Sequence, residues 1–210
     1  MTPKNQTTIF FIRHGQTPSN EQGIQQGSQI DEPLSKSGKL QVEAAAKIAD
    51  YLNLDVLLTS YLHRAEETAI IIDKGLKKPV PVFYDERLKE RDFGSLSGKT
   101  EEEWDIILPN HRDLEARQVY DYRPFGGEDV SDVRKRVMSA VLDIAQNYEN
   151  KNIGVVTHAG VIRLMQFHFP DLTRIYHNPN TALEKTIGNS DIYEWEISED
   201  KIQNLKSLLL

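Results

Sequence analysis

"TIFFIRHG", residues 8–15, carries the clearest indication of the fold in this sequence. Its first five residues are apolar or β-branched, which favours a strand buried inside a sheet. The run then passes without a break into Arg13, His14 and Gly15. Three further runs of the same kind follow along the chain, at residues 55–59, 80–84 and 153–157.

Helical patterns separate most of these strands. Apolar residues recur every three or four positions in four segments, at 39–52, 61–75, 129–148 and 160–168. Strands that alternate with helices of this length predict an α/β fold with a largely parallel sheet. Residues 191–198 alternate between apolar and polar side chains, which predicts a further strand at the edge of the sheet.

The bulk composition excludes several classes of protein. A length of 210 residues predicts one domain over residues 1–210. The net charge of −7 argues against a general binder of nucleic acid or of an acidic membrane surface. Because cysteine is absent, the chain has no disulfide, no thiolate metal site and no cysteine nucleophile. No apolar run reaches the roughly 20 residues that cross a bilayer, and we expect a cytoplasmic protein.

Charged and polar side chains follow each apolar run, where the strand is expected to end. Arg13 and His14 follow the first run, Arg64 comes shortly after the second, and His158 follows the fourth. Several acids follow the third run: Glu86, Glu90 and Asp92. The carboxyl ends of parallel strands meet at one edge of the sheet, where open α/β sheets bind their ligands. We therefore expect these side chains to lie close together.

These residue types suit phosphoryl transfer. Two guanidinium groups hold a phosphate dianion through paired N–H···O contacts, and a neutral imidazole is a competent nucleophile toward phosphorus. A carboxylic acid can protonate the leaving alkoxide. We expect the pKa of this acid to be raised, because it is partly buried beside a bound dianion. Since arginines balance the charge on the oxygens, the chemistry needs no metal.

Several motifs, in this order along the chain, resemble the histidine phosphatase superfamily in its phosphoglycerate-mutase-like branch. They are RHGQTPSN (13–20), DEPLSKSGKLQ (31–41), LLTSYLHRAEETA (57–69), RLKERDFGSLSG (87–98) and VVTHAGVIR (155–163). The resemblance covers most of the chain. It implies a phosphoglycerate-mutase-like fold, a three-layer α/β/α sandwich with a mostly parallel central sheet.

The resemblance also implies a role for each matching residue. His14 would attack phosphorus and become phosphorylated, while Glu90 would protonate the leaving group and then help to activate water. Residues from several segments would hold the phosphoryl oxygens: Arg13, Arg64, His158, Asn20, Gln26 and Gly27. The expected partner is a small phosphorylated substrate, and neither a metal nor a cofactor is expected. The sequence does not predict the oligomeric state.

Hydrolases and sugar-acid mutases share these motifs, but three departures from the mutase pattern favour a phosphatase. The stretch from Glu90 to GGED (126–129) is short, Phe93 stands where mutases commonly have tyrosine, and Ala-Gly follows His158 where mutases usually have Gly-Asn. We therefore expect a metal-independent phosphomonoester hydrolase. A phosphoglycerate mutase-type enzyme is the alternative, followed by a phosphoprotein phosphatase.

Residues 95–127 are expected to cover the substrate, because long irregular segments in compact domains are often functional. Four basic residues there either contact a carboxylate or second phosphate or form surface ion pairs: Lys99, Arg112, Arg117 and Arg123. Four aromatic residues either line an apolar wall or close a small core: Trp104, Tyr120, Tyr122 and Phe125. Glu128 either caps the next helix or lines the pocket, and Arg163 is expected to form a structural ion pair.

Two other classes of function fit the sequence less well. The six histidines form neither an HxxxH nor an HxH pair, and the arginines expected beside His14 would repel a metal cation. A non-catalytic module that binds phosphorylated partners would be marked by the loss of His14 or Glu90, and both residues are present.

Overall fold

The computed structural model describes residues 6–179 and 187–209. The strands are β1 (Thr8–Arg13), β2 (Ile24–Gln25), β3 (Val56–Thr59), β4 (Val82–Tyr84), β5 (Lys99–Thr100), β6 (Asn152–Thr157), β7 (Thr173–Tyr176) and β8 (Ile192–Glu196). The helices are α1 (Pro18–Glu21), α2 (Lys36–Tyr51), α3 (His63–Gly75), α4 (Glu101–Ile107), α5 (His111–Ala116), α6 (Val130–Asn147), α7 (Ala159–His168) and α8 (Glu199–Ser207). Within these ranges, none of the helices has the length and apolarity required of a membrane span.

The main sheet has the strand order β4-β3-β6-β1-β8-β7. Strands β4, β3, β6 and β1 are mutually parallel. Strand β8 runs antiparallel to β1, and β7 runs antiparallel to β8. Strands β2 and β5 form a separate two-stranded ribbon. The predicted α/β fold with a mostly parallel sheet is confirmed.

Alternate residues of β1 point into two separate hydrophobic cores, one on each face of the sheet. Ile9 and Phe11 pack in the core that α6, α7 and α8 cover. Phe10 and Ile12 pack in the core that α2 and α3 cover. Because β1 lies inside the sheet with helices on both faces, its sequence is continuously apolar rather than alternating. Helices, sheet and helices therefore form the three layers that the resemblance implied.

Polar side chains set the starts of the two longest helices. The Ser35 hydroxyl accepts a hydrogen bond from the Gly38 N–H at 3.0 Å and caps α2. At α6 the cap is Asp129, whose carboxylate accepts from the Asp132 N–H at 2.8 Å. Both alternatives considered for Glu128 are therefore wrong: it neither caps α6 nor lines the pocket, and it is paired with Arg136 instead.

The prediction that residues 191–198 form an edge strand is wrong in one respect. The strand β8 is present, but it lies between β1 and β7 rather than at the edge. Its residues Ile192, Tyr193 and Trp195 are all buried. The edge position belongs to β7 (TRIY), whose burial alternates along the strand.

The register of the sheet brings three strand ends together. Arg13 lies opposite Thr157 in the pairing of β1 with β6, so the next residues, His14 and His158, leave the sheet side by side. The His14 N–H donates to the Thr157 carbonyl at 3.0 Å and continues this pairing by one residue. Strand β3 lies on the other side of β6, and its last residue pairs with Val156, one position before the end of β6. Ser60, the residue after β3, therefore lies at the same edge.

Candidate active site

A cavity of about 330 Å³ opens at the end of the sheet where β1, β3 and β6 terminate. Seven of the eight residues predicted for the site line it: Arg13, His14, Asn20, Gln26, Gly27, Arg64 and Glu90. The cavity therefore collects side chains from four distant segments of the chain, as expected for the ligand crevice of an open α/β sheet.

His14 is held as a neutral imidazole with one nitrogen free. It is only 3% exposed, and its Nδ1–H donates to the Gly15 carbonyl at 2.7 Å. Since a carbonyl can only accept, the proton of the neutral ring lies on Nδ1, and Nε2 keeps its lone pair. Burial lowers the pKa of His14 well below its usual value of 6.5, and the nearby Arg64, His158 and Arg13 lower it further. The ring is thus prepared to act as a nucleophile.

Two arginines present unsatisfied N–H groups beside this ring. Arg64 is 1% exposed and donates to the carbonyls of Gly27 (2.8 Å) and Ile30 (2.9 Å). Arg13 donates to the Ile187 carbonyl at 2.6 Å. The Nε atoms of both arginines are buried and have no hydrogen-bond partner among the described residues. Burial lowers the pKa of Arg13 to about 10, against the opposing charge of Glu90. Buried cations with spare donors form a site for an anion.

His158 lies next to His14, with 5.1 Å between the ring centroids. It is not among the residues that line the cavity directly. Its Nε2 lies 2.9 Å from the Ser60 hydroxyl, while its Nδ1 is buried and has no partner in the part of the chain that the structure describes. Burial, followed by the charge of Arg64, lowers the pKa of His158 well below 6.5. This second imidazole is therefore also neutral.

Glu90 carries its charge in the ligand-free site. Burial raises the pKa of its carboxyl, but the charge of Arg91 and two backbone N–H groups outweigh burial and lower the pKa below 4.5. Those donors are the N–H groups of Arg91, at 2.9 Å, and Gly160, at 3.1 Å. The expectation of a raised pKa concerned the site with a bound dianion and stays a prediction, while in the ligand-free site these donors lower the pKa.

Asn20, Gln26 and Gly27 lie in the segment between β1 and α2, with Asn20 inside the short helix α1 and the other two directly after β2. The amide of Gln26 is already bonded within the protein, since its Oε1 accepts from the Thr17 hydroxyl (2.8 Å) and its Nε2 donates to Glu32 (3.1 Å). Gly27 has a positive φ of 57°, a backbone conformation that favours glycine. Its carbonyl receives the bond from Arg64. Contact of these three residues with a phosphoryl group stays a prediction.

Sequence reasoning missed a charged cluster among the residues that line the cavity. The carboxylate of Glu115 lies 3.1 Å from Arg91 Nη1 and 3.0 Å from Arg163 Nη1, and all three residues line the cavity. Burial raises the pKa of Glu115, but the two arginines outweigh burial and lower it. Arg163 forms the expected ion pair and faces the cavity as well. Glu115 lies on a short helix, α5, whose sequence has no distinguishing pattern.

The basic residues proposed for a second anionic group do not line the cavity: Lys99, Arg112, Arg117 and Arg123. The three arginines pair with acids on the surface instead. Of the four aromatic candidates, Trp104 lines the cavity, whereas Tyr120 and Tyr122 are buried in the core on the α6 side. Phe125 packs against that same core.

Known proteins resemble this chain over nearly its whole length. A probable phosphatase of Schizosaccharomyces pombe is 31% identical over 194 residues, covering 91% of this chain and 87% of the relative. The solved structure of Bacillus stearothermophilus YhfR superposes with a TM-score of 0.75 at 29% identity and 92% coverage of both chains.

Both phosphatases and mutases occur among the relatives. A metal-independent phosphoserine phosphatase of Arabidopsis thaliana is 34% identical, with 75% of this chain and 66% of the relative covered. A 2,3-bisphosphoglycerate-dependent phosphoglycerate mutase of Chlamydia trachomatis is 25% identical, with 90% of this chain and 94% of the relative covered. The family description that matches residues 9–201 is the histidine phosphatase superfamily, branch 1. The chain therefore belongs to the histidine phosphatase superfamily.

Proposed function

We propose that this protein is a metal-independent phosphomonoester hydrolase that acts on a small phosphorylated metabolite through a phosphohistidine on His14. The observation that carries the proposal is the state of His14. Its imidazole is neutral, its free nitrogen is fixed by the bond from Nδ1 to the Gly15 carbonyl, and Arg13 and Arg64 line the same cavity.

In the first step, Nε2 of His14 attacks phosphorus and the bond from phosphorus to the ester oxygen breaks. Arg13 and Arg64 balance the charge on the phosphoryl oxygens. Their Nε–H groups, which have no partner among the described residues, can donate hydrogen bonds to those oxygens. His158 donates to the same oxygens from its own unpaired nitrogen. Glu90 gives a proton to the leaving oxygen, which departs as an alcohol.

In the second step, water attacks phosphorus, Glu90 accepts its proton, and His14 is released with inorganic phosphate. Glu90 is a carboxylate in the ligand-free site, so it must gain a proton before the first step. A bound phosphate adds negative charge beside Glu90 and raises its pKa. The monoanion of a phosphate ester, which has a second pKa of about 6, brings the proton with it.

The substrate is proposed to be small because the cavity holds about 330 Å³, which is at the lower end of the range for small-molecule sites. Strand β2 and the helices α4 and α5 contribute one part of the cavity wall. We assign the covering role of residues 95–127 to this wall, within a single domain. A phosphoprotein would have to present its phosphate on a thin, extended segment.

A mutase is less well supported by the cavity wall. Mutases must hold a second acidic group of the substrate, and Arg163 is a partly exposed cation of the cavity lining, with 36% of its side chain accessible. Its guanidinium is already paired with Glu115. Phe93 also lines the cavity without offering a hydroxyl. Assays for isomerisation of 2- and 3-phosphoglycerate, run beside phosphate release, separate the two activities.

The experiment that tests the proposal is a phosphate-release screen over a panel of phosphorylated metabolites, with His14→Ala beside the wild type. We expect His14→Ala to lose activity by several orders of magnitude, because it removes the nucleophile. The wild type, quenched during turnover, should carry an acid-labile phosphoryl group that the variant lacks. His63→Ala is the matched control, since His63 is exposed and outside the cavity. A variant that keeps a tenth of wild-type activity would refute His14 as the nucleophile.

Metal independence is tested in the same assay by adding a chelator. Full activity after chelation is expected, whereas loss of activity that zinc or manganese restores would contradict the proposed scheme. The cytoplasmic location expected from the sequence stays a prediction, and cell fractionation tests it.

A further inference from the structure

We propose that Ser60 is a positioning residue that decides which nitrogen of His158 carries the proton. It does so by donating its hydroxyl hydrogen to Nε2 of His158, which leaves Nδ1 as the donor. The inference rests on the proposed function, in which His158 donates a hydrogen bond to a phosphoryl oxygen.

The sheet itself brings the two side chains together. Ser60 follows the last residue of β3, and its N–H donates to the Val156 carbonyl of β6 at 3.0 Å. His158 follows the last residue of β6 and lies two positions after Val156. Both residues are completely buried, and the Ser60 hydroxyl oxygen lies 2.9 Å from His158 Nε2. Water does not compete for this contact, so it determines the state of the ring.

An account of the protons favours one of the two tautomers. The Ser60 oxygen already accepts from the Leu62 N–H at 3.3 Å, and among the described residues its hydrogen has no acceptor other than His158. If the imidazole proton were on Nε2, the serine hydrogen and the lone pair of Nδ1 would both be buried without a partner. With the proton on Nδ1, Nε2 accepts from Ser60 and only the Nδ1–H stays unpaired. Buried polar groups without partners are costly, so the second arrangement is preferred.

This tautomer is also the one that the proposed reaction needs. An oxygen of a phosphoryl group carries negative charge and is attracted by an N–H, whereas the lone pair of the other tautomer would repel it. Hydrogen bonds to charged groups change equilibria by about 10- to 100-fold. We therefore expect loss of the serine hydroxyl to weaken binding of a phosphate-like anion, and to slow turnover, within that range.

The tautomer is measured directly by ¹⁵N NMR of the histidine side chains in the ligand-free protein. His158→Gln identifies the signals that belong to His158. In the wild type we expect the Nδ1–H form, and in Ser60→Ala a shift towards the Nε2–H form. Detection of the Nε2–H form in the wild type would overturn the proposal, even if the Ser60→Ala variant did not fold.

A double-mutant cycle tests whether Ser60 acts through His158. The affinity for orthovanadate and the kcat for an aryl phosphate are measured for the wild type, Ser60→Ala, His158→Gln and the double variant. Ser60→Ala should reduce both quantities in the wild type and change neither in the His158→Gln background. Thr59→Val is the matched control, because it removes a neighbouring buried hydroxyl whose hydrogen bond, within the described residues, goes to the Ser60 carbonyl and not to His158. Equal effects of Ser60→Ala in the two backgrounds would show a purely structural role and contradict the proposal.

The two proposals fail in distinguishable ways. If His158→Gln binds vanadate and turns over substrate like the wild type, the proposed role of His158 is wrong, while the NMR measurement still decides the tautomer. If His158→Gln is impaired but Ser60→Ala is not, the role of His158 stands and that of Ser60 is wrong.

Discussion

His14 and His158 lie beside each other as neutral rings, yet their hydrogen bonds give them opposite capacities. The Gly15 carbonyl takes the Nδ1 proton of His14, so this ring offers a lone pair. Ser60 occupies Nε2 of His158 and leaves Nδ1 without a partner. Because burial and the adjacent arginines keep both rings uncharged, a ring with a free lone pair and a ring with a free N–H can lie side by side without repelling each other.

At the same scale, Glu90→Gln tests the assignment of the acid. Glutamine keeps the shape of the side chain but cannot supply a proton, so esters with poor leaving groups should slow by about 10²- to 10⁴-fold. Aryl phosphates, whose leaving groups need little protonation, should slow far less. Steady-state rates on an alkyl and an aryl phosphate measure the difference. Glu86→Gln is the control, since Glu86 is an exposed acid four residues earlier; equal slowing of both esters in Glu90→Gln would rule out Glu90 as the acid.

Single residues were predictable where the backbone alone determines their position. Arg13 ends β1, and His14 and His158 directly follow β1 and β6, so parallel pairing is enough to bring them to one edge. Glu115 was not predictable, because it reaches the cavity from α5 through the packing of its side chain against Arg91 and Arg163. The lowered pKa of Glu90 was missed for a similar reason, since it depends on backbone N–H groups whose direction only the fold defines.

The turn from β6 into α7 is the element that fixes Glu90. The Gly160 N–H, in the first turn of α7, donates to Glu90 Oε2 at 3.1 Å, and the helix dipole adds positive potential at the same place. A Cβ atom at position 160 would collide with Glu90 Oε1 and with Arg91 Nε. Glycine at this position therefore allows the carboxylate to approach the helix.

Gly160→Ala should displace the Glu90 carboxylate and remove its bond to the helix. We expect hydrolysis of alkyl phosphates to slow at least about tenfold, because a displaced acid loses part of the roughly 10²- to 10⁴-fold that a general acid usually contributes. Hydrolysis of aryl phosphates should slow much less. Rates on both esters, with the thermal midpoint measured beside them, distinguish a displaced acid from a destabilised fold. Wild-type rates on the alkyl ester would show that the contact does not position Glu90.

Elements were predictable from local pattern, but their order in the sheet was not. The apolar stripes located α2, α3, α6 and α7 to within a few residues, because each stripe reports only that one face is buried. The place of β8 depends on β7, which is four residues long and was not predicted from the sequence. A half-polar strand can lie at an edge or beside another strand, and its own sequence does not distinguish these cases.

At the scale of the whole molecule, the sheet between the two cores carries two buried histidines at one end, and both would take up a proton in water below about pH 6.5. His14 and His158 have pKa values well below 6.5 in the folded protein, whereas in the unfolded chain both titrate near 6.5. Below pH 6.5 the unfolded chain therefore binds more protons than the folded protein. As the pH falls, the free energy of unfolding decreases wherever the unfolded chain binds more protons than the folded protein. We therefore expect acid to destabilise this fold at pH values above those at which its carboxylates titrate.

The expected size is about 1.4 kcal/mol of unfolding free energy per pH unit for each histidine, beginning as the pH falls below 6.5 and continuing down to the folded pKa values. Urea unfolding of the wild type and of His158→Gln, at steps from pH 7.5 to 5, measures it. Glutamine does not titrate, so the variant should lose about one histidine's share of the slope, whatever its stability at neutral pH. Equal slopes in the two proteins would mean that His158 titrates in the folded state as it does in water, and that burial at the sheet edge does not keep it neutral.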